Sequence, residues 1–305
     1  MAVITPDLLK SLMTGFRREF QQGQSMVEPA WNRIATRVGS TTRSNTYGWL
    51  GQFPQFREWV GDRQIKDMQA HGYQIENKLW ESTVGVARTD IEDDNLGIYS
   101  PLMQEMGRAA AIHPDELVFG LLKDAHTETA YDGQNFFDNE HPVYANVDGT
   151  GTETLVANQD IPGTDPGDAW YLLDVTRAIK PVIFQERVSP ELQAMIDPDD
   201  EQVFMADEYR YGVRARSNVG FGFWQMAYKS QQPLTKDNYG AARTAMMNFK
   251  ADGGRPLGIR PTLLVAPPSL EQQALEVLQA ERDAQGATNI YRNTAELLVT
   301  PWIAA

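Results

Sequence analysis

The span from Pro101 to His126 carries the longest helical pattern in the chain, and it limits what the rest can build. Leu102, Met106 and Ala109 recur at helical spacing, and so do Leu117, Leu121 and Ala125. Ser100 is suited to cap the start, and Pro101 stands where a first helical residue needs no N–H donor. Pro114 removes a donor and disfavours helix at His113, so the pattern predicts a kink or a restart there. Asp115 and Glu116 then fall in the first turn of the second half, where the helix dipole favours acids. The span ends in the turn signal Tyr131-Asp132-Gly133. An acidic trio, Glu92, Asp93 and Asp94, leads into it. A helix this long needs a large apolar partner surface, and the flanking sequence must supply it as strands and short helices.

The N-terminal flank opens with Thr5-Pro6-Asp7, a cap, first turn and dipole partner for a helix whose stripe is Leu8, Leu12, Phe16 and Phe20, with Gly23 as its stop. A terminal amphipathic helix must bury that stripe against its own body or against a neighbouring subunit, and the pattern leaves both open. From Ser40 to Asp90 the composition turns to strand formers, Thr41 to Phe53 and Tyr73 to Val86. Between them lies the aromatic and charged segment Pro54-Gln55-Phe56-Arg57-Glu58-Trp59-Val60-Gly61-Asp62-Arg63. This predicts a long two-stranded hairpin. An isolated hairpin is marginal in water, so one of this length is expected to lie on another chain.

Beyond Phe137 the Gly-, Asn- and Asp-rich stretch 148–168 predicts a surface loop. Strands are expected at Trp170–Val175, Pro181–Arg187, Tyr209–Ala215, Val219–Tyr228, Ile259–Ala266 and Ala295–Val299. Helices are expected at Asn238–Lys250 and after Ser269, where Ser269 and Gln272 have capping-box spacing. Leu270, Ala274, Val277 and Leu278 form the inner face of the latter. Strands and helices mix without βα alternation, which predicts an α+β fold.

Charge and composition narrow the function. The 305 residues carry a formal net charge of -14, which opposes tight nucleic-acid or anionic-membrane binding. The charge is unevenly placed. Residues 1–43 hold Lys10, Arg17, Arg18, Arg33, Arg37 and Arg43 against Asp7, Glu19 and Glu28, whereas 191–210 holds seven acids and one Arg. The absence of cysteine excludes disulfides and thiolate chemistry. No apolar run reaches the length of a membrane helix, and the N-terminus lacks signal-peptide features, so a soluble chain made in the cytoplasm is expected.

No catalytic constellation emerges. His71, His113, His126 and His141 form no ligand pair, and His113 and His141 each precede a proline, which suggests cap or turn roles. The acids Asp197, Asp199, Asp200 and Glu201 lack the glycine and ligand spacing of a calcium loop. No phosphate-binding loop or nucleophile elbow is present. No metal, cofactor or catalytic residue is expected. Arg214 and Arg216, alternating on one strand, are read as surface charges or as partners for acids across an interface.

Several stretches together resemble the major head (capsid) subunits of phage Mu and Mu-like prophages. They are the segment Pro54 to Arg63, NKLWESTVGVARTDIEDDNLG (Asn77 to Gly97), YDGQNFFDNEHP (Tyr131 to Pro142), WYLLDVTRAIKPVIFQER (Trp170 to Arg187), YRYGVRARSNVGFGFWQMA (Tyr209 to Ala227) and LLVAPPSLEQQALEVL (Leu263 to Leu278). They cover nearly the whole chain in order, closely enough to expect the type member of that family.

The resemblance implies the Hong Kong 97-type capsid fold. It implies an arm over 1–39, an E-loop hairpin over 40–90, a spine helix and the start of a peripheral domain over 91–145, and the remaining peripheral and axial domains over 146–305. One departure stands out. In many such proteins a strand pair like WYLLD…KPVIFQER follows the helix that LLVAPPSLEQQALEVL resembles, and here it precedes it.

The function implied is a non-enzymatic subunit that self-assembles into hexamers and pentamers of an icosahedral head around double-stranded DNA. Scaffold, maturation protease and portal are its implied partners, with neither sequence-specific DNA binding nor a membrane. The implied location is the virion, with the host cytoplasm during assembly. The inter-subunit anchors expected are Phe56 and Trp59, with Arg57 and Arg63 beside them, and Phe16 and Phe20 of the arm. The readings set against this are an acidic metal-dependent hydrolase using the Glu92–Asp94 or Asp197–Glu201 carboxylates, and another phage structural component.

Overall fold

The structure, a computed structural model, describes residues 5–50, 72–93, 96–197, 200–282 and 286–304. The chain opens with α1 (Pro6–Ser25) and α2 (Trp31–Ile34), then β1 (Ala35–Gly39), β2 (Ser44–Thr46), β3 (Gln74–Glu76), β4 (Lys78–Ala87) and α3 (Arg88–Glu92). The long helix α4 (Tyr99–Asp124) follows, then β5 (His141–Tyr144), β6 (Glu153–Val156), β7 (Gln159–Asp160), β8 (Trp170–Leu173) and β9 (Val182–Met195). The last third runs through α5 (Glu201–Ala206), β10 (Glu208–Phe221), β11 (Ala227–Ser230), α6 (Lys236–Met247), β12 (Leu263–Ala266), α7 (Glu271–Leu278) and β13 (Glu296–Val299).

Two larger sheets organise these elements. The first has the order β1-β9-β10-β4, with β1 parallel to β9 and the other neighbours antiparallel. The second has the order β13-β12-β8-β11-β7. Strand chemistry follows position. β8 and β12 lie inside their sheet and are buried at every residue, so they read WYLL and LLVA without alternation. In β10 the alternation is visible: Tyr209, Tyr211, Val213 and Ala215 face the core, and the residues between them face outward.

The stretches WYLLD and KPVIFQER, read as a strand pair, separate into different sheets. β8 pairs with β11 and β12, while β9 pairs with β1 and β10. The expected break between Ala215 and Val219 is absent, because β10 runs through as one strand with register shifts at Arg214, Arg216 and Ser217.

α4 runs unbroken across Pro114, so the expected restart does not occur. It starts two residues earlier than the pattern predicted, because a 3-10 turn at Leu96–Ile98 leads directly into it. Ile98 holds the cap position and Ser100 lies inside the first turn. Thr5 does cap α1, accepting from the Leu8 amide at 3.2 Å. Ser269 does not cap α7: it lies in the 3-10 turn before the helix and donates to Asp168, while Gln272 donates to Glu276.

Of the expected hairpin, residues 51–71 lie outside the described residues, and the described part shows only a short pairing at its base. β2 pairs only with Gln74–Glu76, and the following strand β4 turns away to pair with β10 over ten residues, Glu208↔Ala87 to Ser217↔Lys78. Side chains from both sheets and the C-terminal half of α4 form the main core. A second apolar cluster gathers α1, the N-terminal half of α4 and the inner face of β9 and β10. No helix of the described residues is long and apolar enough to cross a membrane.

Candidate assembly surfaces

The arm helix is seated by shape as much as by apolar area. Leu9, Phe16 and Phe20 are buried, and Phe16 meets Tyr211 edge-on at 4.9 Å between ring centres. Two glycines let the backbones of α1 and α4 touch. A methyl on Gly23 would lie 2.9 Å from the Gln104 Cα, and one on Gly107 would lie 2.9 Å from the Phe20 carbonyl carbon and 3.1 Å from the Gln24 nitrogen. Gly23 therefore does not stop the helix, which continues to Ser25. Beyond α1, Asp115 of α4 holds the start of α2: its carboxylate accepts from the Trp31 amide at 2.6 Å and the Ala30 amide at 3.2 Å. Burial pushes the Asp115 carboxyl up, and those two amides pull the other way.

Phe16 and Phe20 are 4% and 2% exposed within their own chain. This favours the own-body docking of the two that the stripe left open: Phe16 packs edge-on against Tyr211, and both rings join the apolar cluster shared with α4. Phe56, Arg57, Trp59 and Arg63 lie outside the described residues.

The root of the hairpin is a buried polar network. The Asn77 side-chain amide donates to Ser40 Oγ at 2.9 Å and to the carbonyls of Thr42 at 3.0 Å and Arg43 at 3.2 Å. Gln185 of β9 donates to Asn77 Oδ1 and to the Ile75 carbonyl, both at 3.0 Å, and its own carbonyl accepts from the Tyr47 hydroxyl at 2.8 Å. Burial pushes the Tyr47 hydroxyl up and Tyr73 to about 12. Every donor and acceptor here is directional, so the network fixes the placement of the segments 40–47 and 73–77 on β9.

A further buried centre lies under the β5–β6 hairpin. His141 is fully buried, stacks on Trp224 with ring centres 4.1 Å apart, and places Nδ1 2.7 Å from Asp132 Oδ2. Asn158 donates to the Phe136 carbonyl at 2.8 Å and turns its own oxygen toward His141 Nε2 at 3.3 Å. The cap-or-turn role expected of His141 is thus a core role that ties the loop after α4 to the 3-10 turn before β11. No group of three or more His, Asp and Glu side chains comes together among the described residues in a way that holds a metal.

Sequence reasoning missed the Asp115 clamp and the Asn77–Gln185 network, because each joins residues about a hundred positions apart. It also missed the exposed pair Phe204 and Met205 on α5, where a helical turn inserted between two strands left no periodic signal.

The architecture matches solved phage heads. The chain superposes on that of the procapsid of bacteriophage JBD30 with a TM-score of 0.88 at 60% identity, covering 98% of this chain and 100% of that one. On the bacteriophage JBD30 capsid the TM-score is 0.80 at 42% identity, covering 99% and 100%. The fold is therefore that of a phage major capsid protein of Hong Kong 97 type, a structural subunit and not an enzyme. The relatives make the group specific. The major capsid protein of Escherichia phage Mu is 52% identical over 94% of both chains, and the Mu-like prophage FluMu major head subunit of Haemophilus influenzae is 50% identical over 93% of both. The chain belongs to the Mu-like prophage major head subunit gpT family, whose model matches residues 9–303. At 52% identity it is a relative of the Mu protein and not the type member itself.

Proposed function

We propose that this major capsid protein assembles into hexamers and pentamers that close an icosahedral head around double-stranded DNA. The observation that carries this reading is the near-complete superposition on chains of the JBD30 procapsid and capsid. The subunit works with a scaffold, a maturation protease and a portal, assembles in the host cytoplasm and ends in the virion. A net charge of -14 suits a container that must not grip its DNA.

In this reading 1–39 is the arm, 40–90 the hairpin, 91–145 the spine helix and start of the peripheral domain, and 146–305 the remaining peripheral and axial parts. The hairpin lies over a neighbouring subunit, with Phe56 and Trp59 as anchors and Arg57 and Arg63 pairing with its acids. The rigid network at Asn77 and Gln185 supports this, since a lever needs a fixed root. Many modest contacts repeated around each capsomer hold the shell. The test is the Phe56→Ala/Trp59→Ala double variant, examined by sedimentation and electron microscopy beside the parent chain. The expected result is a folded, soluble subunit that makes no shells. Normal shells from that variant overturn the role given to the hairpin.

A further inference from the structure

The least satisfied surface of the described chain lies at the turn between β9 and β10. There α5 buries Val203 and leaves Phe204 84% and Met205 74% exposed. Large apolar side chains this open, side by side, mark contact surfaces. The surroundings are acidic: no Lys or Arg occurs between Arg187 and Arg210, while Asp197, Asp200, Glu201 and Asp207 surround the pair in sequence. Two such tips would repel each other, so the surface does not pair with its own copy in a neighbour.

The opposite charge lies close by. Lys10, Arg17 and Arg18 are exposed on α1, and none of them makes an ion pair among the described residues. Val203 of α5 and Leu9, Phe16 and Phe20 of α1 belong to one apolar cluster, so the acidic tip and the basic helix share one end of the subunit. Within the chain no ion pair joins Lys10, Arg17 or Arg18 to the α5 acids among the described residues. Between rotationally related copies, each tip can meet the next copy's arm and offer its own arm in return.

We infer that the α5 tip of one subunit docks on the outer face of α1 of a second copy, Phe204 and Met205 seating against the Arg17–Arg18 side chains and the flanking acids pairing with Lys10, Arg17 and Arg18. An aromatic ring over a guanidinium suits this arrangement, because the arginine stem supplies apolar area and its head supplies charge. The contact rests on the proposed self-assembly and adds to it a second surface, independent of the hairpin. It also gives the arm a purpose after its aromatic stripe has been used on its own body.

The cysteine-free chain makes the test clean. Two single-cysteine chains, Ala206→Cys beside the apolar pair and Thr14→Cys between Lys10 and Arg17, are produced together with the remaining head proteins, and purified shells are oxidised. The expected result is a disulfide-linked dimer containing one chain of each kind, absent when Ala206→Cys is present alone. Intact shells with no mixed dimer, with an Ala206→Cys homodimer, or with Ala206→Cys linked to another polypeptide overturn the inference. Failure of the parent chain itself to form shells overturns the assembly reading instead. As a second measurement, Asp200→Lys/Glu201→Lys and Arg17→Glu/Arg18→Glu should each reduce the shell fraction at least tenfold with unchanged Tm, and their combination should restore it. Parental shell yield from either reversal alone overturns the docking.

Discussion

Gly107→Ala isolates the seating of the arm. In the structure the added methyl would stand 2.9 Å from the Phe20 carbonyl carbon and 3.1 Å from the Gln24 nitrogen, and closer still to the Phe20 carbonyl oxygen. Carbon atoms in contact sit about 3.5–4.0 Å apart, so α1 and α4 must separate by about 0.6 Å or more. Neither helix can yield by rotating a side chain, because the atoms met are backbone. Overpacking of this kind costs about 1–3 kcal/mol, and a backbone clash belongs at the upper end.

The arm is vulnerable to that loss. α1 lies at the chain terminus and buries only Leu9, Phe16, Phe20 and Gly23 of its 20 residues, so it should detach before the rest unfolds. The assay is limited trypsin digestion, with mass spectrometry of cleavage after Arg17 and Arg18, alongside thermal melting. Gly107→Ala should be cut there markedly faster than the parent. The paired control is Gly15→Ala: Gly15 is exposed in the same helix with nothing within 4 Å of an added methyl, so alanine should stabilise the helix by up to about 1 kcal/mol. Equal cutting of the parent and Gly107→Ala, with unchanged melting, refutes the reasoning.

Three further outcomes are expected. Lys229 is 4% exposed and burial pushes its amine down, so folding is penalised while the amine is charged, and stability should rise as pH climbs through the lowered folded value toward 10.5. Lys229→Met should remove that pH slope and stabilise by about 1–3 kcal/mol at neutral pH, read by thermal melting. Asp115 has the opposite sense: its carboxyl binds the proton more tightly folded than unfolded, so stability should fall as pH rises from 3.8 through the raised folded value and level off above it. Asp115→Asn should flatten that interval of a pH–stability curve, and an unchanged slope would assign it to another carboxyl. Asn77→Ala leaves Ser40 and two carbonyls without their shared donor, at about 1–3 kcal/mol per buried group left unpaired, and should speed hydrogen exchange across β2 and β3 while leaving β12 unaffected.

By itself the sequence determined the local grammar. Helix α1 and its threonine cap, the long α4 and the buried strand at Leu263–Ala266 follow from periodicity and cap chemistry, which act over a few residues. The ordered run of family-like stretches identified the capsid class. Tertiary structure decided the rest. It carried helix across Pro114, since packing along α4 outweighs one missing donor. It sent β4 to β10 rather than back along β2, because an alternating strand finds its partner by matching faces across the chain. It consumed Phe16 and Phe20 inside the subunit and exposed Phe204 instead. A stripe of apolar residues states that a surface must be covered, and only the folded chain decides whether its own body or another copy covers it.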